Sequence, residues 1–190
     1  MRKDDISILK DLTVEIPDRR IFHRLGYKSK TDQVDDRIRA MVDTQRRTLQ
    51  TLMEPAALYR ILEYHQTNLH PIFEGASHVA LCICTIGAGV ERAAQDLTQN
   101  GELLKGFILD SLGSEAAEEV ARLSNEVVAM RARAMGLRSG KRFSPGYGIW
   151  DLREQAWIFE VLPAQRVGVT LTDDFLMLPR KSVSYRVNFN

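Results

Sequence analysis

Two periods of apolar and polar residues alternate along this chain, and the changes from one to the other mark its elements. Residues 12–16 (LTVEI) alternate weakly, which predicts a short strand. Pro17 suits a first helical turn, and the helix it opens closes at Gly26. Over residues 32–53, Val34, Ile38, Met41, Val42, Leu49 and Leu52 recur at helical spacing, and Pro55 ends the run. Residues 57–64 (ALYRILEY) fit either period. A strand is the better reading, because Thr67-Asn68 reads as a turn into a second extended segment.

Residues 78–86 (HVALCICTI) are nearly continuously apolar and of strand length, the pattern of a central strand buried on both faces. A short helix follows over 90–97, then a long helical region over 103–135 that Gly113-Ser114 should break or adjust. Past Gly136 glycine becomes dense, with four of the twelve lying between 136 and 148. A helix is predicted over 152–162 and strands over 167–171, 175–178 and 182–189. Strands gathered at the end of the chain favour an antiparallel or mixed, twisted sheet with flanking helices. The expectation is one α+β domain over 1–190, with residues 1–30 as an N-terminal arm and helix and 31–190 as its core.

Composition narrows the function classes. A chain of 190 residues, 44% hydrophobic and 27% charged, suits one globular domain and excludes a disordered one. Twenty-six basic against 25 acidic residues leave a net charge of +1, so no nucleic-acid or membrane-surface role is expected. The longest apolar stretch, 79–90, is too short to span a bilayer, and Asp4-Asp5 fall where a signal peptide needs apolar residues. Cys82 and Cys84, two apart on a strand, suit neither a structural disulfide nor a completed zinc site. A reduced cytoplasmic setting is expected.

Several motifs carry less than they first suggest. TIGAGVER (85–92) has the strand-turn-helix setting of a dinucleotide fingerprint, but Arg92 stands where the third glycine belongs. An ordinary tight turn is the better reading. His78, Cys82 and Cys84 share one strand face, whereas chelation needs ligands converging from different segments, so no metal site is expected. His23, His65 and His70 form no zinc-hydrolase spacing, and no nucleophile elbow or P-loop appears.

Residues 127–150 are more informative. They hold Arg131, Arg133, Arg138, Lys141 and Arg142 without one acidic residue. Helix C-terminus electrostatics accounts for Arg131 and Arg133, but not for Lys141-Arg142, which come after Gly136 and Gly140. Phe143-Ser144-Pro145-Gly146-Tyr147-Gly148 then alternates rigid and permissive residues, a loop whose backbone a ligand can approach closely. An arginine beside it is suited to gripping a carboxylate, so the stretch reads as a site for a small zwitterion or anion, or as a surface loop. Glu115, on or beside the stripe of Ile108 and Leu112, reads either as a partnered carboxylate or as first-turn helix chemistry after Ser114.

Taken together, DSLGSEAAEEVA (110–121), RFSPGYG (142–148), LREQAWIFEVL (152–162) and VGVTLTDDFLMLPRKSVSYRV (167–187) resemble the activation domain of cobalamin-dependent methionine synthase. The hallmarks are R-x-x-P-G-Y and then G-V-x-L-T-x-x-x-x-M-x-P-x-x-S-V-S. They appear as Arg142, Pro145, Gly146 and Tyr147, then Leu171, Thr172, Met177, Pro179, Ser182, Val183 and Ser184. The resemblance is good from about residue 80 and looser from Arg20, where RRIFHRLGY (19–27) is similar to the opening helix of short, free-standing members.

The resemblance implies an S-adenosylmethionine (SAM) site and a supporting role in reductive methylation. Inactive cob(II)alamin would be returned to methylcobalamin by one electron and a methyl group from SAM. The cobalamin would be carried by a partner, a corrinoid-binding protein or a split methionine synthase, and the electron would come from a flavodoxin- or ferredoxin-type donor. Arg142 would grip the SAM carboxylate. Ser144, Pro145, Gly146 and Tyr147 would line the ligand, and Glu115 would face its polar or cationic part. No side chain need act as acid or base, because a sulfonium leaves readily. The chain departs from the family in three places. It ends at Asn190 without a counterpart for a ligand-side tyrosine, lacks a secure match for an early acidic residue, and is short between Gly75 and Val79. Two rival readings remain: a non-catalytic docking module for a corrinoid protein or its electron donor, and a self-sufficient SAM methyltransferase.

Overall fold

Val79, Ala80, Leu81, Cys82, Ile83 and Cys84 are all shut from solvent, so the strand they form is covered on both faces. The computed structural model describes residues 6–27, 33–64 and 75–190. In chain order the elements begin β1 (Ser7–Leu9), α1 (Asp18–Arg24), α2 (Asp36–Leu52), β2 (Ala56–Glu63), β3 (His78–Thr85), α3 (Gly89–Gln99) and α4 (Leu103–Ala134). They continue with β4 (Ser139–Phe143), α5 (Gln155–Val161), β5 (Thr170–Leu171), β6 (Met177–Leu178) and β7 (Ser182–Phe189). Short 3-10 turns flank α5 at Leu152–Glu154 and Ala164–Val167.

Five strands pair in the order β1-β2-β3-β7-β4, every neighbour antiparallel, and β5 and β6 form a separate two-stranded ribbon. Side chains alternate across a strand, so β3 feeds two cores. Ala80, Cys82 and Cys84 join a cluster with Val42 and Leu49 of α2, Val90 of α3 and the apolar side of α4. Val79, Leu81 and Ile83 join a second cluster with Trp150, Ile158 and Leu162. The sheet is therefore a middle layer, with α1 to α4 on one face and α5 and its flanking loops on the other.

Where the structure departs from the sequence reading, the cause is local. Residues 12–16 bury Val14 and Ile16 as their alternation demands, yet they form no ladder. The Ile16 carbonyl accepts a hydrogen bond from Arg46 Nη1 (2.7 Å), and the first strand is instead Ser7–Leu9. Pro17 caps α1 from outside rather than standing in its first turn. The second helix opens at Asp36, where the Asp35 side chain accepts from the Arg37 amide (2.7 Å). Helix α4 runs through Gly113 without a break. A Cβ at Gly113 would stand 3.0 Å from Val90 of α3, and one at Gly106 would stand 2.4 Å from Thr98 Oγ1. Both glycines serve the close crossing of α3 and α4. The turn expected at Thr67-Asn68 lies outside the described residues, as do His65 and His70.

The largest difference is β4. The stretch 139–143 is an edge strand on β7, with an extra residue bulged between Ser139↔Phe189 and Arg142↔Val187. A Cβ at Gly140 would meet the Asn188 carbonyl at 2.9 Å, so glycine is required for the two backbones to meet. A polar, glycine-containing, bulged strand has no two-residue alternation to read. The helix expected over 152–162 is a 3-10 turn running into the seven residues of α5, and 167–171 contributes only the two residues of β5.

Candidate functional site

Strand β4 sends consecutive side chains to opposite faces of the sheet, and the bulge sets which goes where. Arg142 emerges on the α4 side, where its guanidinium carbon lies 5.3 Å from the centroid of the Tyr185 ring. Its Nη2 donates to Glu118 Oε2 of α4 at 2.6 Å. Its Nη1 is shut from solvent and has no partner among the described residues. The ring beneath is fixed in turn. Tyr185 is fully buried on β7, and its hydroxyl lies 2.6 Å from Ser124 Oγ, which itself donates to the Ala121 carbonyl and lies 3.1 Å from Cys84 Sγ. Burial pushes the Tyr185 phenol well up and the Cys84 thiol up to about 12, so both stay protonated at neutral pH.

Phe143 emerges on the opposite face, beside Arg186, its register partner on β7. The loop that follows returns to the sheet at Trp150, which is buried. Within it the Gly146 amide donates to the Trp150 carbonyl (2.8 Å), the Tyr147 amide to the Ser144 carbonyl (3.4 Å) and the Trp150 amide to the Tyr147 carbonyl (3.1 Å). Gly146 and Gly148 adopt φ of 85° and 59°, which the turn demands and a side chain would resist. Pro145 is buried and Ser144 partly so, while Tyr147 and Ile149 stand 69% and 80% exposed at the tip. Three loop amides are thus spent on the loop itself, and the side chains of Tyr147 and Ile149 cover its tip.

The structure places Arg142 directly before Ser144, Pro145, Gly146 and Tyr147, and it turns Glu115 elsewhere. Glu115 faces α1, where Arg24 Nε donates to Oε1 at 2.5 Å and Arg20 Nη1 stands 3.8 Å from Oε2. The acid on Arg142 is Glu118, which the sequence reading passed over. An i, i+3 step from Glu115 reaches it, but only the position of β4, itself missed, shows that this turn of α4 faces Arg142. The glycines of 85–92 have a packing role. A Cβ at Gly89 would stand 2.7 Å from the Leu52 carbonyl, and one at Gly87 would stand 3.2 Å from Glu54 Cβ. A cleft of about 660 Å3 between α3 and α4 is lined by Glu91, Thr98, Phe107, Asp110 and Arg180 among others, and by none of residues 142–150.

A family described as vitamin B12 dependent methionine synthase, activation domain, matches residues 68–188 by its sequence model. The chain belongs to that family. Among solved structures, this activation domain is similar to one described as "Crystal Structure of the MetH Reactivation Domain bound to AdoHcy", with a TM-score of 0.74 and 16% sequence identity. The likeness covers 96% of this chain and 78% of that one and establishes a shared fold, α+β with an antiparallel sheet and flanking helices. No curated protein matches the chain. Both hallmark motifs of the activation domain converge on β7. R-x-x-P-G-Y is strand β4 and its loop, while the second motif forms the β5–β6 ribbon and enters β7. The ribbon is tied down by Gln155, whose Nε2 donates to the Phe175 carbonyl (2.5 Å) and whose Oε1 accepts from Ser184 of β7 (2.7 Å). Among the described residues no helix is long and apolar enough to cross a membrane.

Proposed function

We propose that the chain binds SAM at Arg142 and the 144–147 loop and supports the reductive methylation of cob(II)alamin on a separate corrinoid protein. Family membership supports the reactivation role, and the similar solved structure is described as bound to AdoHcy, the demethylated counterpart of SAM. The observation that carries the reading to these residues is the unmet Nη1 of Arg142. A buried donor without an acceptor costs roughly 1–3 kcal/mol, and a ligand carboxylate would remove that cost once a shift of the Arg142 side chain opens Nη1 to it. The donor set fits a carboxylate well, since the guanidinium sits over the Tyr185 ring and one of its ends is already anchored by Glu118.

SAM brings a methyl group on a sulfonium, a leaving group that needs no acid or base from the protein. The chain's own contribution is orientation and exclusion of water. Arg142 would hold the carboxylate end, Ser144, Pro145, Gly146 and Tyr147 would line the ligand, and Glu118 would face its cationic part, the role first expected of Glu115. The first partner to test is a methionine synthase without its own activation region, and the second is a corrinoid methyltransferase. A flavodoxin- or ferredoxin-type protein would supply the electron.

The test follows cob(II)alamin absorbance in a mixture of corrinoid partner, reductant and SAM. Conversion to methylcobalamin is expected only when this chain and SAM are both present. The reading fails if SAM gives no heat of binding with or without the partner. The exposed Tyr147 and Ile149 at the loop tip favour one rival, a docking module that does not bind SAM. Partner binding with neither SAM heat nor methylation would select it.

A further inference from the structure

Arg186 stands where the packing calls for an apolar residue. It is 8% exposed, and its register partners on either side are Leu81 of β3 and Phe143 of β4. Leu81 belongs to the apolar cluster beneath α5, as does Trp150. Taking a guanidinium out of water is costly, and an apolar side chain of similar length often serves a buried position equally well or better. What a guanidinium offers and a methionine does not is a flat, charged surface that aromatic rings attract.

Two aromatic rings lie within cation–π range of it. The Arg186 guanidinium carbon lies 5.4 Å from the centroid of Phe143 and 5.5 Å from that of Trp150, and Nη1 donates to Asn188 Oδ1 at 2.6 Å. The two rings are the residues that bound the 144–149 loop. The loop also folds back on the first of them, since a Cβ at Gly148 would lie 3.1 Å from Phe143 Cζ. It closes on the second through the bond from the Gly146 amide to the Trp150 carbonyl.

We propose that Arg186 is a positioning residue: its guanidinium, in cation–π range of both Phe143 and Trp150, ties the two ends of the 144–149 loop together and so fixes the conformation in which that loop meets its ligand. The clasp is a statement about this chain alone, and only its effect on affinity rests on the SAM reading. Arg142 and Arg186 then divide the work across the sheet, the first toward the ligand and the second toward the loop.

The test compares wild type with Arg186→Met, using amide hydrogen exchange of Gly146 and Trp150, titration with SAM, and thermal melting. Exchange at both amides is expected to rise and SAM affinity to fall, each by about tenfold, with a melting temperature equal to or above that of wild type. A core residue with no positioning role would not weaken binding while stability holds. Phe143→Leu, which removes one ring and leaves the cation in place, should move exchange and affinity in the same direction, and it serves if the methionine variant does not fold. Wild-type exchange in a folded variant overturns the clasp, and faster exchange with SAM affinity equal to that of a SAM-binding wild type overturns its role in positioning the loop for a ligand. If wild type binds no SAM, the proposed function fails, while the exchange measurement still decides the clasp.

Discussion

Glu115 and Glu118 sit three residues apart on the same helix and belong to two differently built charge clusters. Toward α1 the cluster closes on itself. Arg24 and Arg20 meet Glu115, Arg20 Nη1 reaches Glu119 Oε2 at 3.1 Å, Arg122 Nη2 reaches Glu119 Oε1 at 2.6 Å, and Arg122 also pairs with Glu126. Toward β4 the cluster stays open, with one carboxylate on Arg142, one ring beneath it and one buried nitrogen unmet among the described residues. A closed ion cluster has spent its directional bonds on holding elements together, whereas an open one keeps a bond for something else. On that ground we read the α1 cluster as a brace and the β4 cluster as the ligand site.

The sharpest way to break this comparison is Arg142→Ala. SAM affinity should fall about 100-fold, the equivalent of roughly 2.7 kcal/mol for a lost charge-assisted contact, with the melting temperature nearly unchanged. Calorimetric titration and thermal melting read the two quantities. Lost stability with intact affinity would exchange the labels of the two clusters.

Glu119→Gln should do the converse, lowering stability by about 1 to 2 kcal/mol in urea unfolding and leaving SAM affinity alone. The side chain is 7% exposed, but its arginine partners are more than 40% exposed, which keeps the effect below that of a fully buried pair. The effect also carries a pH signature. Hydrogen bonding from Arg122 first, with Arg20 adding to it, holds the Glu119 carboxyl below the usual carboxylate range. A depressed carboxylate contributes its full stability above its unfolded value, about 4.3, and loses it as the pH falls through the folded one. The stability gap between wild type and Glu119→Gln should therefore be constant near neutrality and close below about pH 4.

The same contrast explains what the sequence could show. The buried centre was legible because β3 is apolar on both faces, and the hallmark motifs were legible because they are contiguous. Arg142 stood out because it begins a loop of alternating rigid and permissive residues and lies in an acid-free stretch. What stayed hidden depends on pairing across long separations. Strand β4 is defined by β7 and by a bulge rather than by its own alternation, and Glu118 becomes a neighbour of Arg142 only once β4 is placed. Gly113 looked like a helix breaker because its reason for being there lies on another helix, at Val90. Arg186 was not singled out at all, since nothing local to strand 182–189 announces that Phe143 and Trp150 will come within 5.4 and 5.5 Å of it.

Glu115→Gln should have the smallest effect and divides the two clusters most finely. Its carboxylate is 13% exposed, with Arg24 and Arg20 above 40%, so the brace it forms is largely screened by solvent. Stability should fall by less than about 1 kcal/mol, and the loss should shrink in 0.5 M salt as screening weakens the pair it removes. SAM affinity should stay within about twofold, because no bond links this carboxylate to Arg142 and the neighbouring Glu118 remains in place. A larger loss of affinity, with stability intact, would mean that the ligand reaches across this turn of α4 and draws Glu115 away from α1. The closed cluster would then be a resting state of the site, and the helix carrying both acids would be one continuous binding face.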